Sequence, residues 1–442
     1  MDAVQLGAIA AATAQAALND ILTAQHLAVA RFITKRRRQR KRTRRRQELG
    51  LVAEVARRSS FEELTSKWSD KRFKRKLRLS REAFNYVLGV VGPKLEPSAR
   101  GGGGGAKGHA APPIAPAIKL AIALSLLRGQ PAQDMDQWGV ESDGSVVDGC
   151  FWPVVAAIHA SPEFDMRLMP ALEAAYEGRT EELEAITRRF DVMGGGVLPG
   201  CCGALDGYLP EINKPPVDDD MSTEHPRRHH VRNSRHYMSY KEYYAVNVQA
   251  VAGANREFLY ASVRSPGSTP DAAAFPATSL ARLIDAHRGL PGEGRFLLAD
   301  DAYKADESTV TPYPGCDETL ELDKSNFNHI QSSMRMPIEC AFGRLVGMWG
   351  VLWRPLRMGL DHVPDLLLAA MKLCNVALRM PGVGDEPGDA EPQWALERLR
   401  AAGRFQPGRP LGERLRDIAW LRDQLRDRAT EAGYMRPGGV RA

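Results

Sequence analysis

The spacing of hydrophobic residues changes near residue 195, and this change separates two kinds of predicted structure. Before it, apolar residues recur at helical spacing, as at Phe84, Val87 and Val91. Ser80 stands just before this segment as a helix N-cap. After residue 195, short apolar or alternating runs have the length of strands. The predicted strands cover residues 197–209, 244–251, 258–263 and 296–300.

The order of the predicted elements in the second region indicates the fold class. A strand is followed by a hairpin around Gly253 and Asn255, a helix that runs through Ile284, another strand and a further helix. This is the order of an α/β fold with a ribonuclease-H-like mixed sheet flanked by helices. The helical region before residue 195 then forms an α-helical N-terminal domain.

Glycine, proline and charge runs suggest four segments along the chain. Glycines at 194–196 close the helical region, and Gly, Pro and acidic residues follow Pro381. The predicted segments are 1–59, an Ala-rich helix and basic arm; 60–195, a helical domain; 196–382, the ribonuclease-H-like domain; and 383–442, a tail with an amphipathic helix at 411–428.

Two interpretations of the stretch between residues 118 and 158 stay open. Helix, short helix, a turn at Gly139 and a last helix is the order of a helix-turn-helix, whose last helix would enter a DNA groove. That last helix, however, has almost no basic side chains and contains Pro153. These features favour a helix that belongs to the core.

Composition and charge indicate a polyanionic partner and a reducing compartment. The 442 residues suffice for two folded units, and the net charge of +6 is unevenly placed, since ten of the twelve residues in Lys35–Arg46 are basic. This run indicates a nuclear-localisation or phosphate-binding arm, so we expect a nuclear protein. Six cysteines without a C-x-x-C pair, and no secretory signal pattern, favour reduced thiols. No stretch has the length of a membrane span, so no membrane association is expected.

Three acidic residues on separate predicted elements suggest a divalent-metal site. Asp206 lies on the first strand, Asp300 ends the fourth, and Glu339 flanks the apolar stripe of the last helix. Because neighbouring strand residues point to opposite faces, only one of Asp300 and Asp301 should face the site. Such acids suit Mg²⁺ or Mn²⁺ and the two-metal cleavage of phosphodiesters. Each acid alone is better explained as a turn or cap residue, whereas their joint placement favours the metal site.

Pro337 restricts how the last predicted helix can begin. Proline is accommodated in the first turn of a helix or at a kink. We therefore expect a break in the chain before Pro337 and place Glu339 within the first turn after it.

A polar insertion at 215–239 combines histidines, aspartates and arginines. A zinc site is one use of its histidines, but their spacing is not that of usual zinc ligands. Contacts to DNA phosphates are favoured instead, and a second basic set between Lys71 and Arg78 also indicates a polyanion. The candidate DNA-binding residues are Arg227, Arg228, Arg232, Arg235 and Lys241.

Several short motifs, taken in order between residues 200 and 380, resemble those of one family. The motifs are GALDG with Asp206, YK at Tyr240–Lys241 followed by YAVNVQAV, PGSTPD with Asp271, LLADDAY with Asp300, and IECAFGRL with Glu339. In this combination the chain resembles the PIF/Harbinger transposases and the Harbinger transposase-derived nucleases, a branch of the DDE superfamily. Ala299 and Ala302 stand where that family has glycines.

This resemblance implies a function and a set of site residues. Asp206, Asp300 and Glu339 would be the catalytic acids and Asp271 a further metal ligand, and the spacing to Tyr303 selects Asp300 over Asp301. The implied activity is metal-dependent cleavage of DNA by an endonuclease or transposase, with Mg²⁺ or Mn²⁺ as cofactor and terminal inverted repeats as substrate. The resemblance also implies a Myb-like partner protein, and the oligomeric state, a homo-oligomer included, stays open.

Two other functions compete with this one. The chain could be a domesticated DNA-binding or adaptor protein that keeps the fold without cleaving. Fold class alone also suggests a ribonuclease that acts on RNA-containing duplexes. The four acids favour the DNA nuclease.

Overall fold

The predicted strands form a single mixed sheet. The computed structural model describes residues 60–96, 113–140, 147–217, 231, 233–315, 320–382 and 420–434. The strands are β1 Cys201–Tyr208, β2 Val246–Ala252, β3 Phe258–Pro266, β4 Phe296–Leu298 and β5 Thr309–Val310. Their order across the sheet is β3-β2-β1-β4-β5. Strands β1, β2 and β3 pair antiparallel, whereas β4 is parallel to both β1 and β5.

Helices precede, interrupt and follow this sheet. They are α1 Phe61–Thr65, α2 Asp70–Leu77, α3 Arg81–Leu95, α4 Pro116–Leu127, α5 Trp152–His159, α6 Leu168–Tyr176, α7 Glu181–Met193, α8 Asp271–Ala274, α9 Ser279–Ala286, α10 Leu322–Met348, α11 Val363–Arg379 and α12 Trp420–Glu431. The predicted N-cap is confirmed, because the Ser80 hydroxyl accepts the Ala83 N–H at 3.0 Å. A mixed sheet flanked by helices, with a helical region before it, confirms the predicted ribonuclease-H-like α/β class. The two residues of β5 are too few to show an alternating pattern, so the sequence pattern does not reveal this strand.

Some predicted features lie outside the described residues. These are the Ala-rich helix and basic run within 1–59, most of the 215–239 insertion and the first part of the tail helix. The division into 1–59, 60–195, 196–382 and 383–442 stays a prediction.

The helical region and the sheet pack together in two buried clusters, of which one is the larger. Phe84 and Leu124 from the helices belong to the same hydrophobic cluster as Tyr208, Phe258 and Phe342 from the sheet and α10. All five side chains are withdrawn from water, which is the main favourable contribution to folding.

The last helix of the helix-turn-helix candidate is α5, and its apolar residues belong to this core. Val154, Val155 and Ile158 are buried. The Lys372 ammonium of α11 also donates a hydrogen bond to the His159 carbonyl at the end of α5, at 3.0 Å. The helix therefore packs in the core, which is the alternative to DNA readout that its sequence favoured.

Helix α10 contradicts the expected break before Pro337. The helix starts at Leu322 and continues to Met348, so Pro337 is inside it and Glu339 lies near its middle, not in a first turn. The Pro337 ring lacks the N–H that would bond to the Ser333 carbonyl. Ser333 is exposed, so water can satisfy that carbonyl, while the buried Pro337 ring packs in the core. An interior proline is tolerated here for this reason.

The described part of the tail packs on α10. Leu421, Leu425 and Ala429 of α12 are buried, and the Tyr313 hydroxyl donates to the Asp423 carboxylate. The described part of the amphipathic tail helix therefore packs against the folded chain. None of the helices in the described segments combines the length and apolar character that a membrane crossing requires.

Candidate active site

Two of the predicted acids are brought together by the pairing of parallel strands. Ala204 of β1 lies beside Leu298 of β4. Two residues further along each chain come Asp206 and Asp300, so the register carries both acids to the same edge of the sheet. The Asp206 side chain accepts the Gly207 N–H at 2.8 Å, and the Asp300 side chain accepts the Ala302 N–H at 3.1 Å.

The end of β4 is also fixed by α10. The buried Gln331 side chain donates to the Ala299 carbonyl at 2.7 Å and to the Val310 carbonyl at 3.3 Å. These bonds hold the ends of β4 and β5 against the helix that carries Glu339. The residue just before Asp300 is therefore anchored to a second element.

Asp271 joins the site from the first residue of α8. Its Oδ1 atom accepts hydrogen bonds from the Asn247 and Gln249 amides of β2, at 2.9 and 2.7 Å. The buried Tyr303 hydroxyl in turn donates to Gln249 Oε1 at 2.8 Å. A chain of hydrogen bonds thus orients the Asp271 carboxylate.

Gly207 makes room for Asp271 beside β1. A Cβ atom on residue 207 would lie 2.3 Å from Asp271 Oδ1, far inside contact distance. Any side chain at this position would therefore push the carboxylate away from the strand that carries Asp206. This close approach explains why the GALDG motif has a glycine directly after Asp206.

Glu339 reaches the other acids through Arg335, which lies one turn earlier on α10. The Arg335 guanidinium contacts Glu339 Oε1 at 2.7 Å and Asp206 Oδ2 at 3.4 Å. The Arg335 and Asp206 side chains are each 11% exposed and the Glu339 side chain 21%, so water screens this arrangement weakly.

Burial and mutual repulsion destabilise the ionised acids. Burial raises the pKa of Asp206 well above its usual value, and Asp300 and Asp271 add to the rise while Arg335 opposes it. Burial likewise raises the pKa of Asp300 to about 6, with Asp271 adding to the rise and Arg335 again opposing it. Burial alone would lower the pKa of Arg335, but the facing Asp206, Glu339 and Asp300 carboxylates together raise it. The site therefore concentrates negative charge that favours a cation.

The donor set suits a hard divalent cation such as Mg²⁺ or Mn²⁺. Asp206, Asp271, Asp300 and Glu339 supply carboxylate oxygens, which are the ligands these ions prefer. In this conformation, no three Asp, Glu, His or Cys side chains of the described segments converge closely enough to hold one ion. The Arg335 guanidinium lies between two of the four acids. The oxygen donors therefore fit a metal provided that Arg335 moves.

The neighbouring acid Asp301 has a different environment. It is half-buried, burial raises its pKa, and Arg335, rather than Asp206 or Asp271, is the charged side chain that acts on this pKa, by lowering it. Asp300, in contrast, interacts electrostatically with Asp206 and Asp271. The structure thus groups Asp300 with the other acids, as the family spacing implies.

The candidate DNA-binding residues are only partly within the described segments. Arg227, Arg228 and Arg232 lie outside them. Arg235 is exposed on a 3₁₀ turn, Ser234–Tyr237, which is tied to the loop before Asp271 because the Ser268 N–H donates to the His236 carbonyl at 3.1 Å. Lys241 follows on the next turn, with its ammonium 5.4 Å from the centre of the exposed Tyr240 ring.

Sequence reasoning missed four residues that organise this site, namely Arg335, Asn247, Gln249 and Gln331. Two signals could have found some of them. Asn247 and Gln249 are polar residues two apart in an otherwise apolar strand, and such a pair on one face needs a polar partner. Arg335 precedes Glu339 by four residues, the spacing of an ion pair on one helix face.

Comparisons with known proteins relate part of the chain to a nuclease family. A family described as DDE superfamily endonuclease matches residues 220–375, a range that contains Asp271, Asp300 and Glu339 but begins after Asp206. Protein ALP1-like from Arabidopsis thaliana is 22% identical over 213 residues, which cover 45% of this chain and 48% of the relative. The chain therefore spans about half the length of this curated relative. No solved structure matches the chain.

Proposed function

We propose that this chain, whose residues 220–375 match the DDE superfamily of endonucleases, is a Harbinger-type nuclease that cleaves DNA phosphodiester bonds in a metal-dependent reaction. The supporting observation is that Asp206 of β1 and Glu339 of α10 contact one buried guanidinium, on which Asp300 at the end of β4 also acts electrostatically. In this proposal Asp206, Asp300 and Glu339 are the catalytic acids, and Asp271 is an additional metal ligand.

Mg²⁺ or Mn²⁺ is the proposed cofactor, held by the four carboxylates. When bound, such ions activate a water or hydroxyl nucleophile and stabilise the leaving oxygen of the phosphodiester. The protein's own contribution is to hold the acids in place before substrate arrives. Asn247 and Gln249 orient Asp271, and Gln331 anchors the strand end that precedes Asp300.

DNA is the proposed substrate, with terminal inverted repeats as its specific sites. Arg235 and Lys241 lie on exposed turns, and the turn of Arg235 is bonded to the loop that leads into Asp271. Basic side chains at that position suit the phosphate backbone of a strand that enters the site. Arg227, Arg228 and Arg232 extend the same basic stretch in sequence.

A nuclear location and a Myb-like partner protein complete the proposal. The basic run Lys35–Arg46 supports nuclear import, because dense Lys and Arg runs serve as import signals. The Myb-like partner rests on the family resemblance alone, as does the possibility of a homo-oligomer.

The test compares cleavage by two neighbouring variants. Purified protein is incubated with supercoiled DNA and with end-repeat DNA in the presence of Mn²⁺, and nicks are counted on gels. We expect Asp300→Asn to lose at least about a hundredfold in cleavage rate, because a proposed metal ligand is removed. Asp301→Asn, which makes the same chemical change one residue away, should keep most of the wild-type rate.

The same assay separates the competing functions. Equal nicking by wild type and Asp300→Asn would remove the catalytic assignment. Binding of end-repeat DNA without nicking, under all metal conditions, would favour the domesticated adaptor. Faster cleavage of an RNA–DNA hybrid than of duplex DNA would favour a ribonuclease.

A further inference from the structure

Arg335 occupies a position that no part of the proposed cleavage reaction explains. It projects from the middle of α10 into the acidic site and contacts Asp206 and Glu339, two proposed metal ligands. Arg335 and Asp206 are 129 residues apart in sequence, so this contact joins α10 to β1. The Arg335 side chain is the cation through which Asp206 and Glu339 are joined.

This arrangement solves an electrostatic problem of the metal-free protein. Several carboxylates lie close together in a weakly hydrated site, where each ionised acid raises the energy of the others. A guanidinium keeps its proton at all relevant pH values, so its charge is permanent. It can also donate to two carboxylates at once through its separate N–H groups. Arg335 therefore compensates part of the acidic charge when no metal is bound.

We infer that Arg335 is an internal counter-ion of the metal site, which holds Asp206 and Glu339 until a divalent cation displaces it. This inference rests on the proposed metal-binding function and adds that metal and Arg335 compete for the same carboxylates. Two consequences follow from the competition. The wild-type protein binds metal more weakly than its acids alone would, and it tolerates the metal-free state better.

The test measures Mn²⁺ affinity by calorimetric titration of the full-length protein, without DNA. Arg335→Gln removes the charge but keeps a hydrogen-bond donor, and we expect it to bind Mn²⁺ at least about tenfold more tightly. Arg335→Lys keeps a positive charge in the site and should stay close to wild type. The matched control is Lys324→Gln, which removes one charge and the ion pair to Glu321 from the first turn of the same helix.

A thermal measurement provides a second readout that does not depend on cleavage. Without metal, Arg335→Gln should melt at a lower temperature than Lys324→Gln, because it leaves buried acids without their counter-ion. Added Mn²⁺ should raise the Tm of Arg335→Gln by more than it raises the Tm of wild type, since tighter binding stabilises the folded state further.

The outcomes separate this inference from the proposed function. If Arg335→Gln and wild type bind Mn²⁺ equally, the counter-ion role is wrong while the metal site stands. Weaker binding by Arg335→Gln would show that Arg335 assembles the ligands without competing with metal, and would also overturn the inference. If neither protein binds Mn²⁺, both the inference and the proposed metal dependence fail. Asp300→Asn should lose binding, which shows that the measured ion is in this site.

Discussion

Asp206 and Asp300 are acids whose environment opposes their own ionisation. Both are buried near Asp271, and the raised pKa of each reflects burial first and the neighbouring carboxylates next. Hydrogen bonds to the Gly207 and Ala302 N–H groups offset only part of this effect. At neutral pH the charged site is therefore a source of instability in the metal-free protein.

This instability gives a pH-dependent prediction for Asp300. Its pKa is raised from 3.8 to about 6 in the folded protein. The folded state thus binds the proton more tightly than the unfolded state, so the associated stability is complete below pH 3.8 and is lost as the pH rises through about 6. Asp300→Asn lacks this loss. In EDTA, the free energy of unfolding of Asp300→Asn relative to that of wild type should therefore rise between pH 4 and pH 7, by up to about 3 kcal/mol.

Urea unfolding at a series of pH values measures this difference. Asp134→Asn, a change of the same kind at an exposed position, serves as the control and should follow the wild-type curve. Parallel curves for wild type and Asp300→Asn would contradict the assigned environment of Asp300.

At the scale of secondary structure, the positions of strands β1 to β4 were the most predictable feature. The apolar run that stops at Asp300 marks the end of β4, whereas Asp206 lies within β1, and the pairing of these two strands brings both acids to the same end of the sheet. Periodicity could not locate the start of α10, because local sequence favours a helix boundary at Pro337 and only tertiary packing keeps this proline inside. Arg335 was missed for a related reason, since its partner Asp206 is distant in sequence.

The tie between α10 and the sheet yields a prediction at this scale. Gln331 is 1% exposed and satisfies two strand carbonyls. Gln331→Leu leaves both carbonyls without this donor, so we expect a loss of about 2 kcal/mol in the free energy of unfolding, together with slower cleavage because Ala299 adjoins Asp300. Urea unfolding checks the first effect. Ser333→Ala, which removes an exposed hydrogen bond of the same helix, should cost far less. Equal losses for the two variants would contradict this role of Gln331.

At the scale of the molecule, the helical region and the sheet meet in two polar arrangements. Glu257, 2% exposed at the start of β3, contacts Arg167, Arg189 and Arg379 from helices on both sides in sequence. Elsewhere the end of α4 approaches the chain after α10 so closely that a Cβ on Gly129 would lie 2.9 Å from the Gly350 backbone. The first arrangement places a carboxylate among its arginines, whereas the contacts of the second involve arginine side chains and backbone carbonyls.

Four arginines lie near this second contact, and Arg128 repels two of them, Arg75 and Arg78. The Arg128 guanidinium donates to the Arg75 carbonyl at 3.1 Å, and the Arg354 guanidinium donates to the Gly129 carbonyl at 2.9 Å. Burial and the neighbouring Arg128 lower the pKa of Arg78, and burial and Arg75 lower that of Arg128. A polyanion would relieve this repulsion. Helix α10 continues nine residues beyond Glu339 to its end at Met348, roughly 14 Å along its axis or about four base pairs of duplex, and Gly350 follows two residues later.

DNA bound at the acidic site should therefore also contact these arginines, and salt dependence measures that contact. Each phosphate contact contributes about 0.9 to the slope of log K against log salt. The exposed pair Arg75→Gln and Arg354→Gln should thus reduce the slope by about two, with little effect on sequence preference, because arginine contacts to phosphates carry no sequence information. Arg179→Gln with Arg428→Gln makes the same change in net charge at exposed positions elsewhere and should leave the slope nearly unchanged. Equal slopes for the two double variants, measured by fluorescence anisotropy in Ca²⁺, would show that these arginines face away from DNA.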